Sequence, residues 1–275
     1  MLGAIIGDIV GSRFEFVDHC GKDFPLFVGE CRATDDSFMT LAVANALLLC
    51  KNDYTNLSEY ARYSMKKIAS NHPNTGWGGN FYKWLFDLGA HEESYGNGAA
   101  MRISPVGWVA NSEKEVEELT YKVTVISHNH PEGHKGALAI AMGVYLSRIG
   151  KSKEYIKEKL ASYYPILLDK SFSIDNLMGK YGYDEAGNWV TCQGSVPHAI
   201  IAFLQGDSFE DVIRNAVGIG GDSDTIGAMA GSIAEAYYGI DEKFEEIALS
   251  YLSDDLKSIY HAFRLIKKER TIISN

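Results

Sequence analysis

The sequence predicts an all-α protein, folded as a single domain of many helices in an orthogonal bundle over residues 1–275. Two observations lead to this prediction. Apolar residues recur three and four positions apart along most of the chain, which is the period of a helix with one buried face. Strand patterns, in which apolar and polar residues alternate and β-branched residues abound, are almost absent. A chain of 275 residues is also long enough to bury a substantial core.

Seven segments carry the helical spacing clearly enough to define their limits. Two of them open on a capping box, in which a serine is followed three residues later by an acid: SEKE at 112–115 and SFED at 208–211. The serine hydroxyl in such a sequence accepts a hydrogen bond from the first turn of the helix. The predicted helices cover residues 37–50, 113–127, 134–149, 196–205, 208–217, 225–238 and 254–268.

Two long stretches lack this spacing, residues 71–98 and residues 163–194. The first is rich in glycine and asparagine, although FYKWLFDL at 81–88 predicts a short helix within it. Extended irregular segments in a compact domain are usually functional or mobile. We therefore expect both stretches to contribute to a binding site or to move.

Glycines mark two helical segments that are expected to pack closely. Gly3, Gly7 and Gly11 recur every fourth residue, and Gly227 and Gly231 repeat this spacing. Glycine inside a helix costs ~1 kcal/mol relative to alanine. Close approach between helix backbones is expected to offset this cost, and helix packing alone would be a sufficient reason for these glycines.

The acidic composition excludes some classes of partner. The net charge is −10, whereas a protein that follows nucleic-acid backbones needs a basic surface. No apolar run approaches the ~20 residues of a membrane span. The apolar N-terminus has no preceding basic residues and is interrupted by Asp8, which argues against a signal peptide. We expect neither nucleic acid nor a membrane as a partner.

The cysteines predict a cytoplasmic protein with reduced thiols. None of them forms a C-x-x-C pair, so they indicate neither a zinc site nor a disulfide framework. The four residues are Cys20, Cys31, Cys50 and Cys192.

Two clusters of acids stand where predicted helices begin, TDDS at 34–37 and GGDSDT at 220–225. One aspartate at a helix start is explained by capping, because free N–H groups and the helix dipole favour an anion there. Capping is therefore the alternative for each cluster taken alone. Together the clusters hold four carboxylates and two threonines, which suit hard cations such as Mg²⁺ or Mn²⁺. Two cations ~3.5–4 Å apart can share such carboxylates and activate a water, so we predict a two-metal site at the helix N-termini.

Five motifs, in matching order along nearly the whole chain, resemble the ADP-ribosylglycohydrolases, the family that includes the dinitrogenase-reductase-activating glycohydrolases. The resemblance implies an all-α fold, two divalent cations (usually Mg²⁺ or Mn²⁺) and hydrolysis of the glycosidic bond between ADP-ribose and an acceptor. The combination of TDD, GNGAAMR and GGDSDT is highly specific. The motifs are GAIIGDIVGSRFEF, TDDSFMTLAVANAL, SYGNGAAMRISPVGW, SHNHPEGHKGALAIA and GIGGDSDTIGAMAGSIAEAYYG.

The resemblance also implies catalytic and metal-binding residues. Glu15 falls on the family's acid at the scissile ribose, which is implicated in catalysis; a surface acid after a helix is the alternative. Either Glu15 or a metal-binding aspartate, Asp36 or Asp222, is expected to transfer the proton. The family's metal ligands fall on Thr34, Asp35, Asp36, Asp222, Asp224 and Thr225, all of which are present.

The motif SYGNGAAMR matches the family's ADP-ribose loop. Its glycines allow backbone N–H groups to face phosphate oxygens, although GNG by itself is also a common turn. Arg102 would either contribute charge or pair with a carboxylate, and an ordinary core methionine is the alternative for Met101. The expected substrate-binding residues are Ser94, Tyr95, Gly96, Asn97, Gly98, Met101 and His128, the last matching a family histidine near the nucleotide.

A second histidine follows closely, His130 in SHNHPEG. No cysteine or third histidine stands at a spacing that would complete a zinc site. We therefore expect His130 to belong to the turn before Pro131.

The expected activity is metal-dependent removal of ADP-ribose from modified proteins, with the arginine-linked bond favoured among N- and O-glycosidic linkages. One alternative is a non-catalytic ADP-ribose-binding relative. Another is a hydrolase of a free ADP-ribosyl or nucleotide-sugar metabolite. TGWGGNF at 75–81 lacks the arginine found in many relatives, and residues 163–194 match no motif. The acceptor side of the site is therefore the least determined.

Overall fold

The computed structural model describes residues 1–17, 19–89, 93–178 and 188–273, except for the side chains of Asn188 and of residues 267–273. Within these ranges the regular structure is helical, and the extended contact is an isolated antiparallel bridge between Gly96 and Thr191. The all-α prediction is confirmed.

Many of the α-helices are joined by connections of a few residues, whereas residues 12–34 and 86–97 form long connections. Three 3₁₀ turns stand between helices at Tyr54–Asn56, Pro165–Leu168 and Asn188–Val190. The α-helices are α1 (Leu2–Gly11), α2 (Asp35–Cys50), α3 (Leu57–Asn71), α4 (Gly79–Leu85), α5 (Gly98–Met101), α6 (Ser104–Val109), α7 (Glu113–Thr124), α8 (Pro131–Arg148), α9 (Lys153–Ala161), α10 (Ile174–Leu177), α11 (Cys192–Gln205), α12 (Phe209–Gly218), α13 (Ser223–Tyr238), α14 (Glu242–Ser250) and α15 (Asp254–Ile273).

All seven predicted helices are present, and their ends follow local capping. Ser112 and Ser208 cap α7 and α12 by accepting hydrogen bonds from the third amide of each helix, as their sequences predict. α7 ends three residues earlier than predicted, at Thr124. α11 begins four residues earlier than predicted, because Thr191 caps it and Pro197 lies inside the helix.

Several helices were not among the seven, for two different reasons. Every residue of α1 is buried, so its sequence has no polar face and only its glycine spacing indicated a helix. The helices α9 and α14 have nine residues each and are rich in charge, which leaves few apolar positions to define a period. The fifteen-residue α3 was missed although its apolar residues share one face.

Helices α1 and α13 cross with their backbones in contact, as the glycine spacing predicts. A Cβ atom on Gly3 would overlap the backbone of Gly231, and one on Gly7 would overlap the backbone of Gly227. A Cβ on Gly11 would overlap the start of α13. We call this contact the glycine seam. Because α13 also packs against α8, α11 and α12, the seam fixes α1 at the centre of the core.

The two irregular stretches meet at the isolated bridge. The Asn97 amide donates to the Val190 carbonyl oxygen (2.9 Å), and the Cys192 amide donates to the Tyr95 carbonyl oxygen (3.0 Å). The predicted helix at 81–88 is present as α4, two residues earlier. Residues 90–92 and 179–187 of these stretches lie outside the described ranges.

Within the described ranges, none of the helices combines the length and the apolar character needed to cross a membrane.

Candidate active site

A cavity of about 300 Å³ opens where the N-termini of α2 and α13 meet the loop before α5. Five of its lining residues are acids, and no lysine or arginine is among the described residues that line it. The lining residues are Glu15, Asp35, Asp36, Gly76, Gly78, Gly79, Asn80, Phe81, Ser94, Gly96, Asn97, Gly98, Met101, His128, Val190, Asp222, Asp224 and Thr225. Of the predicted site residues, only Thr34 and Tyr95 are absent from this lining.

Asp8 shapes the turn that begins α2, a role that was not predicted from the sequence. The Thr34 amide and hydroxyl donate to its two carboxylate oxygens, at 2.9 and 2.7 Å. The Ser37 amide also donates to Asp8 (3.1 Å), as does the Ser37 hydroxyl. Asp8 is fully buried, so a carboxylate with two accepting oxygens is needed there to satisfy four donors.

The two acid clusters are brought together by hydrogen bonds from their threonines. The Thr225 hydroxyl donates to Asp36 Oδ2 (3.1 Å), and the Thr34 hydroxyl lies 3.4 Å from Asp224 Oδ2. Carboxylate oxygens of Asp8, Asp36 and Asp224 lie within 4.8 Å of one another. Since Asp8 is occupied by its four donors, Asp36 and Asp224 are the members of this group that can face a cation.

One oxygen of this cluster lacks the partner that a buried acceptor needs. Asp36 Oδ1 is buried and has no hydrogen-bond donor among the described residues. A buried polar atom without a partner costs free energy, because it loses its hydrogen bonds to water and gains none within the protein. The unsatisfied oxygen and the all-oxygen donor set fit a hard divalent cation.

The start of α13 is turned toward the cavity by two glycines. Gly220 and Gly221 have φ angles of 88° and 71°, in the region that glycine adopts at no steric cost. Asp222 follows as the N-cap, yet its side chain makes no capping hydrogen bond. It accepts instead from the Asn97 side-chain amide, at 2.5 Å. Capping therefore does not account for Asp222, whereas Thr34 does cap α2.

Crowding and burial raise the pKa values of the aspartates in this cluster. Burial raises the pKa of Asp222 to about 6, against hydrogen bonds from Asp224 and Asn97 that lower it. Burial, and then the negative charge of Asp224, raise the pKa values of Asp35 and Asp36 well above the usual range. The protein alone thus holds these carboxyls in a state in which they cannot all be ionised near neutral pH.

Glu15 stands at the opening of the cavity, four residues after α1 ends. Its side chain is 24% exposed, and Arg32 Nη2 lies 3.4 Å from Glu15 Oε2. Burial, followed by the charge of Asp224, raises the pKa of Glu15 to about 8, although Arg32 opposes this. A carboxyl with this pKa carries a proton at neutral pH and can donate it. Glu15 thus lines the cavity, and its catalytic role stays a prediction.

The loop from Ser94 to Gly98 forms the wall opposite the acids. The Gly96 amide donates to the Ser94 hydroxyl (3.1 Å), which stabilises the loop rather than leaving that amide for a ligand. The Gly98 amide has no acceptor among the described residues. The Tyr95 ring is directed elsewhere: it is 47% exposed and packs edge-on against His130, 5.2 Å away.

His128 and Arg102 lie directly behind this loop. Arg102 is fully buried, and its Nη2 donates to the Ser127 hydroxyl (2.6 Å) and to His128 Nδ1 (3.1 Å). The expected pairing of Arg102 with a carboxylate is absent from its described contacts, which include the ring of Phe81 at 5.1 Å. The reason is that the carboxylates face the cavity, whereas Arg102 lies beneath its wall.

His130 has a structural role, as predicted. Its Nδ1 accepts a hydrogen bond from the Glu132 amide (3.1 Å) and so caps α8. The candidate metal cluster found among the described residues consists of aspartates. No histidine contributes to it.

Sequence reasoning missed three parts of the cavity. Gly76, residues 78–81 and Val190 line it, and they lie in the two irregular stretches, where the sequence predicted a contribution to a binding site without identifying these residues. Asp8 contacts Thr34, and Arg102 contacts His128. The two residues of each pair are 26 positions apart, so no local sequence pattern predicts either contact. The only available signal for Asp8 was a charge inside an otherwise apolar helix.

Comparison with known proteins agrees with this geometry. A model of the ADP-ribosylglycohydrolase family matches residues 1–268. ADP-ribosylhydrolase ARH3 of Homo sapiens is 25% identical over 96% of this chain and 92% of its own length. ADP-ribosyl-[dinitrogen reductase] glycohydrolase of Rhodospirillum rubrum is 24% identical over 88% of this chain and 85% of its own.

A solved structure shares the fold. The chain described as an ADP-ribosylglycohydrolase-related protein complex superposes with a TM-score of 0.68, covers 97% of both chains and is 22% identical.

Proposed function

The chain belongs to the ADP-ribosylglycohydrolase family and is a hydrolase of glycosyl bonds, and on that premise we propose that it releases ADP-ribose from arginine side chains of modified proteins, using two divalent cations. One observation carries the proposal. A single cavity combines a buried acid cluster that contains an unsatisfied oxygen with a glycine loop that offers hydrogen-bond donors.

The cations are Mg²⁺ or Mn²⁺, because every donor in the cluster is an oxygen. When bound, they supply positive charge and lower the pKa of a water that they coordinate. Asp36 supports this assignment best, since its Oδ1 lacks a donor. The proposed ligands are Thr34, Asp35, Asp36, Asp222, Asp224 and Thr225.

In the reaction, the bond between the anomeric carbon and the acceptor breaks, water adds its hydroxyl to that carbon, and the acceptor leaves with a proton. Glu15 is the proposed donor of that proton, because it lines the cavity beside the acid cluster and because its burial, the largest cause of its raised pKa, favours the protonated form. Asp36 and Asp222 are the proposed groups that orient the water and accept its proton.

The substrate's diphosphate and ribose are proposed to lie along Ser94, Gly96, Asn97 and Gly98. The free Gly98 amide and the His128 ring are the donors that support this assignment. Met101 lines the cavity and can flank the nucleotide. For Tyr95 we propose a backbone role only, because its ring points away.

Arginine is the proposed acceptor for two reasons. Among the described residues, the cavity lining holds five acids and no lysine or arginine that would repel a cationic guanidinium group. The relative from Rhodospirillum rubrum is also named for acting on an ADP-ribosylated protein. We place the activity in the cytoplasm, which the four free thiols support.

The test is a mass-spectrometric assay with Mg²⁺ or Mn²⁺ on peptides that carry arginine-, serine- or glutamate-linked ADP-ribose. Release from the arginine-linked peptide, abolished by EDTA, is expected. Release from serine-linked peptide alone would refute the acceptor. Binding of ADP-ribose with no release from any peptide or ADP-ribosyl metabolite would favour a binding protein, and release only from metabolites would favour the small-molecule hydrolase.

A further inference from the structure

His128 presents one ring nitrogen to the cavity wall. The side chain is only 5% exposed. A Cβ atom on Gly98 would lie 3.3 Å from His128 Nε2, and one on Gly96 would lie 3.7 Å from it. Nε2 therefore faces the turn between these two glycines, where a bound ligand would pass. Whether Nε2 donates or accepts a hydrogen bond there depends on which ring nitrogen carries the proton.

The neighbours of Nδ1 decide the position of that proton. Arg102 Nη2 lies 3.1 Å from Nδ1, and a guanidinium can only donate. The Ser127 hydroxyl, 3.0 Å from Nδ1, already accepts from the same Nη2 (2.6 Å), so its own proton is free to point at the ring. Nδ1 is consequently an acceptor, and the proton of the neutral ring sits on Nε2.

Arg102 is retained at a position that is costly for a charge. It is fully buried, and its Nε and Nη1 have no hydrogen-bond partner among the described residues. Burial lowers the pKa of Arg102 to about 9, so it stays charged at neutral pH. Burial, followed by this nearby cation, lowers the pKa of His128 well below its usual value, so the ring stays neutral. Among the described residues no carboxylate forms a salt bridge with Arg102, and a buried charge without such a partner is costly, so a functional role is needed to offset this cost.

We propose that Arg102 is a positioning residue that fixes His128 as its Nε2–H tautomer, so that Nε2 donates a hydrogen bond to a phosphate oxygen of the bound nucleotide. The guanidinium also polarises the ring, which strengthens the Nε2–H donor. Only the identity of the ligand rests on the proposed function. The tautomer itself is a property of the free protein.

The tautomer is tested first, by ¹⁵N NMR of the histidine side chains, with His128 assigned through His128→Gln. In the wild type, Nδ1 should resonate as a pyridine-type nitrogen and Nε2 as a pyrrole-type nitrogen. Arg102→Met should give a mixture of tautomers, and Arg102→Gln, which keeps an N–H donor, should restore the wild-type signals. Ser127→Ala is the matched control, because it retains the guanidinium and should retain the tautomer.

Binding is tested by calorimetry with ADP-ribose, ADP and adenosine. A protein in which the Nε2–H tautomer is about half populated should bind about twofold more weakly. Loss of the whole hydrogen bond to a charged acceptor, ~1.5–3 kcal/mol, sets the upper limit at about 10- to 100-fold, so Arg102→Met should weaken the binding of ADP-ribose and ADP within this range. Adenosine, which has no phosphate, should bind equally well to both proteins. Arg102→Gln should recover part of the lost affinity.

A proton on Nδ1 in the wild type would overturn the proposal, whether or not the variants fold. So would a folded Arg102→Met or Arg102→Gln protein that binds ADP with wild-type affinity after losing the tautomer. If the wild type fails to bind ADP-ribose, the proposed function fails, and the NMR result still decides the role of Arg102.

Discussion

The two walls of the cavity have opposite chemical needs. The acid wall, formed by Glu15, Asp35, Asp36, Asp222 and Asp224, holds a buried acceptor without a donor, Asp36 Oδ1. The glycine wall, formed by residues 94–98 with His128, holds donors without acceptors, the Gly98 amide among them. A ligand that satisfies both must bring positive charge to one wall and anionic oxygens to the other. A nucleotide diphosphate accompanied by divalent cations does so.

One side chain joins the two walls. The Asn97 amide donates to Asp222 Oδ2 at 2.5 Å and to the Trp189 carbonyl oxygen at 3.1 Å. The walls belong to different segments: the acids lie after α1 and at the starts of α2 and α13, whereas the glycines lie in the loop that leads into α5. Substitutions should therefore damage one wall without the other.

The largest effect is expected from Asp224→Ala, which removes the acid wall's central carboxylate. Loss of several kcal/mol of charge stabilisation should lower kcat/KM by about a thousandfold or more. Mg²⁺ at ~100 times its dissociation constant should stabilise the wild type by ~2.7 kcal/mol, and the variant should lose this increase in Tm. EDTA should abolish wild-type activity, and added Mg²⁺ or Mn²⁺ should restore it.

Glu246→Ala, which removes an exposed acid on α14, is the control for that experiment. It should keep both activity and the response to metal. Full wild-type activity in EDTA, or an active Asp224→Ala protein, would contradict the two-metal assignment.

A smaller effect is expected from Asp8→Asn, which removes the support of the turn that carries part of the acid wall. Asparagine replaces an accepting oxygen by a donor, so it cannot satisfy the four donors of the Thr34–Ser37 turn. Loss of such support should weaken metal binding about 10- to 100-fold by calorimetry, and ADP binding measured in EDTA should not change.

The matched control is Asp53→Asn, since Asp53 also accepts from a threonine amide (3.0 Å) and hydroxyl (2.6 Å) but is exposed. It should bind metal normally. Equal metal affinity in the Asp8 and Asp53 variants would show that the turn does not need Asp8.

Gly98→Val should break the glycine wall alone. Its Cβ would stand 3.3 Å from His128 Nε2, and its methyl groups would occupy the path of the diphosphate. The affinity for ADP-ribose should fall about tenfold or more, the scale of one lost hydrogen bond, with the metal-induced rise in Tm intact. Gly29→Val is the control, because a Cβ there meets nothing. A variant that loses the metal response instead would argue that the walls are not independent.

The smallest effect concerns the pH dependence of the metal-free protein. Glu15 has a pKa of about 8 when folded and 4.5 as a free side chain. Above pH 6.5 the unfolded chain has released this proton while the folded protein keeps it, so raising the pH favours unfolding. The Tm in EDTA should therefore fall by a few degrees between pH 6.5 and pH 8.

Glu15→Gln should make this slope shallower, because glutamine does not titrate, whereas Asp35 and Asp36, whose pKa values are also raised, continue to contribute to it. The window avoids acid pH, where the buried His198, with a pKa lowered by burial to about 4, makes stability rise with pH instead. A Tm that rises from pH 6.5 to pH 8 in EDTA would show that Glu15 is not held protonated.

The sequence revealed the acid wall more completely than the glycine wall. The local sequence predicts four residues of this site, because paired acids at a helix start exceed what a cap requires. They are Thr34, Asp36, Asp222 and Asp224. The family resemblance added Glu15 and the Ser94–Gly98 loop. No sequence pattern near Arg102 or His128 predicts the contact between them.

The fold shows the same limit. Helices with a polar face, such as α7 and α12, are visible in the sequence because burial on one side imposes a period. In α1 all sides are buried, so apolar and polar residues do not alternate with the helical period. Only the spacing of the glycines indicates a helix there. Gly76, Gly78, Gly79 and Val190 reach the cavity through tertiary contacts that no local pattern encodes.

The glycine seam limits which insertions, deletions and substitutions α1 can tolerate. Each residue advances a helix by ~100° and 1.5 Å, so a single insertion or deletion between Gly3 and Gly11 would rotate Asp8 away from the turn it holds. A larger residue at Gly7 could not be accommodated by shrinking a partner, because it meets the backbone of α13, which every amino acid shares. A second substitution on α13 therefore cannot compensate for a larger residue at this crossing. A descendant protein that loses the glycine seam should also lose the acid wall.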